Sequence, residues 1–171
     1  MDQDKLRRGI IPGIIAGYLF LAFIGASMVP GGLNVTSDDA GMVTAVEQGG
    51  AMMNAGMLEM VGGMIGADAF IGFILHIIIS AVIGALYTGI YLDVAKNALD
   101  NPFMLIAVGG LIYGVIWWII GGLIIMPTIA GGDLLQINLN SPSLFGHVMF
   151  GHALAFLVVI RDAALGMGDD E

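Results

Sequence analysis

Residues Ala69–Leu92 read AFIGFILHIIISAVIGALYTGIYL, 24 positions without a charge. At helical rise this run covers about 36 Å, enough for a tilted crossing of a hydrocarbon core ~30 Å thick. Three further runs of the same kind accompany it: Gly9–Val29, Phe103–Met126 and Ser143–Ile160. The pattern predicts an all-α integral membrane protein, a four-transmembrane-helix bundle forming a single membrane domain over residues 1–171.

The charges set the expected orientation. Lys5, Arg7 and Arg8 precede the first run, Lys96 lies between the second and third, and Arg161 closes the fourth. Connections Pro30–Asp68 and Pro127–Pro142 contain no Lys or Arg. Basic residues stay on the cytoplasmic side, so both termini are expected there. Gly9–Val29 is too long for a cleaved signal segment and lacks a clear small-residue site, so it reads as a retained anchor.

Composition narrows the class further. The chain is 58% hydrophobic and 11% charged, against about a quarter charged in soluble domains. Its net charge is −9, concentrated in tails and outer connections, which solvates a very apolar protein. That balance argues against nucleic acid as a partner and against a polybasic lipid-binding surface. Cysteine is absent, which removes disulfides, thiolate metal sites and cysteine nucleophiles together.

Small residues mark the packing faces. Gly9, Gly13 and Gly17 recur every four residues and line one helix face, where another backbone can approach closely. Gly72, His76, Ser80, Gly84 and Thr88 step by four along the second run, a small and polar face expected to point into the bundle. Gly110 and Gly114 do the same in the third. Asn101-Pro102 is a turn signal and a good helix start. Tyr87 and Tyr91 lie toward the cytoplasmic end, where amphipathic rings favour the interface. Trp117 and Trp118 lie about 12 Å from the outer end, deep for an interfacial belt.

The outer connection 30–68 opens with turn chemistry at Pro30–Asn34, after which Ser37 or Asp38 could cap a helix. Gly49–Gly66 is apolar but interrupted by Asn54, Glu59 and glycines. Counting it as a fifth span would split the basic residues between the two sides, so it reads as a partly helical interfacial or re-entrant segment. Met53, Met57, Met60 and Met64 form one stripe on it. Thioether can ligate copper(I), but methionine is also an adaptable apolar filler, and the stripe suits a helix lying on the bundle. Glu59 interrupts that stripe, either exposed to solvent or facing the outer mouth near the histidines.

The three histidines are the candidate chemistry. His76 lies about 10 Å from the outer end of its run, His147 about 6 Å and His152 about 13 Å. His147 and His152 are about 140° apart around their helix and cannot point the same way. Depth matches His76 with His152, near Trp117 and Trp118. Three roles compete: ordinary helix cross-links, with Ser80 and backbone carbonyls as partners; a proton or small-solute path; and ligation of haem or copper, with His76 and His152 as candidate ligands. No cofactor is expected on the first two. No Walker-type lysine follows the glycine pairs, and no Ser-His-Asp spacing stands out.

His76-Ile77-Ile78-Ile79-Ser80 with Gly84 and Tyr87, Gly109-Gly110, the Met126-Pro127 end, Phe145-Gly146-His147 and Arg161-Asp162 together resemble the YagU family of inner-membrane proteins over about residues 74–163. The resemblance implies a small polytopic membrane protein without established chemistry, and it singles out His76 and His147. The expected function is non-enzymatic: an accessory or structural subunit, assembling with itself or with a larger membrane complex. The alternatives are an oligomeric proton or small-solute transporter using the His pocket, and a haem- or copper-binding redox subunit.

Overall fold

The computed structural model describes residues 3–27, 34–37, 43–47, 58–59, 61–63, 65–130, 134–135, 137 and 142–166. Four long helices carry the fold: α1 (Gln3–Ser27), α2 (Ala69–Ala98), α3 (Pro102–Thr128) and α4 (Pro142–Ala164). Among the described residues three helices, α2, α3 and the Ser143–Ala164 part of α4, are long and apolar enough to cross a membrane. The protein is therefore a helical membrane protein.

Local chemistry sets the helix starts. The Asp68 carboxylate accepts the Ile71 N–H at 3.1 Å and caps α2. The Asn101 side chain accepts the Met104 N–H at 3.0 Å and caps α3, with Pro102 in the first helical turn, where its missing N–H does no harm. α2 runs past its apolar stretch through Leu92–Ala98. Hydropathy falls at Asp93, Lys96 and Asn97, while the helix continues.

Three stretches wind more widely, with i→i+5 hydrogen bonding: Tyr87–Tyr91 in α2, and Leu105–Gly109 and Trp118–Ile125 in α3. The Leu92 N–H reaches the Tyr87 carbonyl, and the Met126 N–H reaches that of Gly121. Such turns re-aim side chains and leave carbonyls free for other donors.

Spatial order differs from chain order. α1 packs against α2 on one side and α4 on the other, and α3 packs against α4. The pairs α1–α2 and α3–α4 are seated on glycine. A Cβ at Gly9, Gly13 or Gly17 would run into Ser80 or Gly84, and one at Gly84 would lie 2.6 Å from the Gly13 Cα. A Cβ at Gly114 would lie 2.9 Å from the Val148 Cα, and one at Gly110 the same distance from the His152 Cα. Side chains therefore cannot be inserted at these crossings without separating the helices. The face Gly72, Ser80, Gly84 and Thr88 is buried. The core is completed by Ala16, Phe20, Leu21, Leu92, Leu105, Phe150, Leu154 and Val158.

The connection between α1 and α2 contains an antiparallel hairpin, β1 (Asn34–Ser37) with β2 (Val43–Glu47), pairing Asn34 with Glu47 and Val35 with Val46. Ser37 thus closes a strand, where a helix cap was expected. The β-branched residues Val35, Thr36, Val43, Thr44 and Val46 favour the extended chain. A short helical stretch covers 58–59 and 61–63. The methionine stripe Met53, Met57, Met60 and Met64 lies outside the described residues, as does Asp38.

Candidate functional site

The candidate pocket is built on Phe20 of α1. Its ring stacks on His76 of α2, with centroids 5.5 Å apart and planes at 29°. It meets His147 of α4 edge-on, at 5.0 Å and 79°. Phe20 therefore joins the two imidazoles from different helices. It stands three residues after Gly17, on the face that α1 buries.

Each histidine is oriented by a backbone carbonyl. His76 Nε2 lies 3.3 Å from the Gly17 oxygen, His147 Nδ1 lies 2.7 Å from that of Ser143, and His152 Nδ1 lies 2.8 Å from that of Val148. A carbonyl can only accept, so these nitrogens carry the protons. In the neutral rings, Nδ1 of His76 and Nε2 of His147 and His152 are left as acceptors. The His147 Nε2 faces Gly121, 3.6 Å from where a Cβ would stand. The His76 bond crosses between α1 and α2, whereas those of His147 and His152 stay within α4. The ring contacts thus gather His76 and His147 about Phe20, while His152 turns to its own helix.

The remaining pocket candidates scatter around this centre. Ser80 is buried one turn below His76, with its Oγ against Gly17. Trp118 is buried, and Gly122 and Ser143 lie close to one another beside it. Trp117 packs edge-on to Tyr113 at 6.2 Å. Glu59 is exposed. Among the described residues no three of His, Asp and Glu converge as a ligand set.

A second cluster escaped the sequence reading. Tyr87, Tyr91 and Tyr113 form a ring triangle with centroids 5.4, 5.0 and 4.8 Å apart. Tyr87 is fully buried within the protein, and its hydroxyl finds no hydrogen-bond partner among the described residues. Tyr91 Oη donates to the Gly109 carbonyl at 2.8 Å, and Tyr113 Oη donates to that of Ile83 at 2.6 Å. These bonds bridge α2 and α3, whose backbones hardly meet. The available signal was the i, i+4 spacing of Tyr87 with Tyr91 and of Tyr113 with Trp117.

Charge gathers at one end. Lys5 pairs with Asp93 and Arg8 with Asp162, each at 2.9 Å, and Arg161 donates to the Arg8 carbonyl at 3.1 Å. The α1 start and the α2 and α4 ends thus share one end of the bundle. Comparison with family models, curated proteins and solved structures finds no match.

Proposed function

We propose that the protein is a non-enzymatic accessory or structural subunit of a membrane complex. On this reading it spans the plasma membrane of a prokaryote four times, with both ends in the cytoplasm. The observation that carries it is the use of the interior polar groups: His76, Tyr91, Tyr113 and Thr88 each bond a backbone carbonyl of another helix. Such bonds fasten helices. The clustering of Lys5, Arg8 and Arg161 at one end supports the orientation. The resemblance of residues 74–163 to the YagU family favours the same class.

Purification in mild detergent is expected to retain a stoichiometric partner or a second copy. A stable lone monomer under the same conditions would count against the proposal. The cysteine-free chain makes the orientation directly testable: Asp2→Cys and Asp170→Cys should both label only from the cytoplasmic side.

A transporter reading rests on the junction of His76, Phe20 and His147, where two imidazoles with acceptor nitrogens flank one ring. Proton flux in vesicles that is lost in His76→Ala while the helices stay folded would favour it over the subunit reading. A visible absorption band in the purified protein would favour the haem or copper alternative.

A further inference from the structure

A cleft of about 550 Å³ opens at the charged end, between the last turn of α2, the first turn of α3 and the last turns of α4. Its inner wall is apolar, formed by Leu92, Leu105 and Val158, all buried. Asp162 also lines it but is 6% exposed and already matched by Arg8. The mouth carries Lys96 and Asp100, both exposed. Neither enters an ion pair among the described residues. Phe103 and Ile160, each next in sequence to a cleft residue, are exposed at 73% and 50%, so the cleft borders the apolar outer surface.

We propose that this cleft binds a zwitterionic phospholipid of the ethanolamine type. The geometry offers one ammonium for the phosphate, from Lys96, and one carboxylate for the lipid ammonium, from Asp100. The apolar wall takes the first part of the acyl chains. The volume falls within the usual range of small-ligand sites, about 300–1,000 Å³. Charge and donor capacity select the class: a choline head is also zwitterionic, but it has no N–H to donate to Asp100. An anionic phospholipid lacks the ammonium and meets the Asp100 carboxylate unfavourably. Free phosphate uses neither Asp100 nor the wall.

The test is native mass spectrometry of the full chain in detergent, offered phosphatidylethanolamine and phosphatidylglycerol in equal amounts. The ethanolamine lipid should be retained in preference. Lys96→Ala should lower its retention about tenfold, and Asp100→Ala should shift retention toward the glycerol lipid. Equal retention of both lipids by the unaltered protein overturns the proposal, as does indifference of the lipid ratio to both variants. Complete displacement by inorganic phosphate or phosphoethanolamine also overturns it, by showing a soluble ligand. Both substituted side chains are exposed. Should either variant nonetheless lower the thermal midpoint, the lipid ratio of the unaltered protein decides alone.

Discussion

The Tyr113 hydroxyl of α3 donates to the Ile83 carbonyl of α2 at 2.6 Å, and Tyr91 of α2 answers with a bond to Gly109 of α3. The two phenols form a reciprocal clasp across helices that otherwise touch little. Tyr113→Phe removes one half and keeps the ring. Ile83 retains the Tyr87 N–H as a donor, so no orphaned acceptor remains. The loss should be about 0.5–1.5 kcal/mol, read as a lowered thermal midpoint in detergent.

Tyr87→Phe should act in the opposite direction. Its hydroxyl is fully buried and unpartnered among the described residues, and such a group carries a desolvation cost of about 1–3 kcal/mol. Removing the oxygen should leave the midpoint unchanged or raise it. A clear fall would show that the hydroxyl has a partner.

The glycine crossings should tolerate no methyl. A Cβ at Gly84 meets the backbone of Gly9 and Gly13, whereas one at Gly63 meets nothing within 4 Å. Gly84→Ala should destabilise by at least about 2 kcal/mol. Gly63→Ala should stay within about 0.5 kcal/mol. Thermal unfolding of the two variants side by side checks the contrast.

The two ion pairs should behave differently. The Arg8 and Asp162 side chains are 19% and 8% exposed, and those of Lys5 and Asp93 are 27% and 49%. Asp162→Asn leaves a largely buried guanidinium without its counter-charge and should cost about 3 kcal/mol or more. Asp93→Asn should cost less than about 1 kcal/mol, and its effect should fade in ~1 M salt. Unfolding at low and high salt separates the two.

Much of this architecture was readable from residue spacing, because a helix in apolar surroundings must satisfy its own backbone and announces itself by length. The start at Asn101-Pro102 and the inward face through Ser80 and Gly84 follow from chemistry that is local. Rotation is not local. Depth along an axis cannot say which ring faces which, so His76 was matched with His152 by height, while the contacts around Phe20 gather His76 and His147. Tyr87 was ambiguous for a related reason: a phenol suits a headgroup layer or a packed interior equally well. The hairpin β1–β2 was missed because Ser37-Asp38 resembles a cap until the β-branched residues on either side of it are weighed.

Because α1 lies between α2 and α4, the first helix made must wait for the last. During synthesis α1 can settle on α2, with Phe20 on His76, as soon as that helix emerges, but Arg8 and the side of Phe20 that meets His147 have no native partner until α4 leaves the ribosome. A chain truncated before α4 would present that side of α1, with an unmatched guanidinium, to lipid or to quality-control proteases. Completion of the final helix is therefore the event that commits the two helical hairpins to each other.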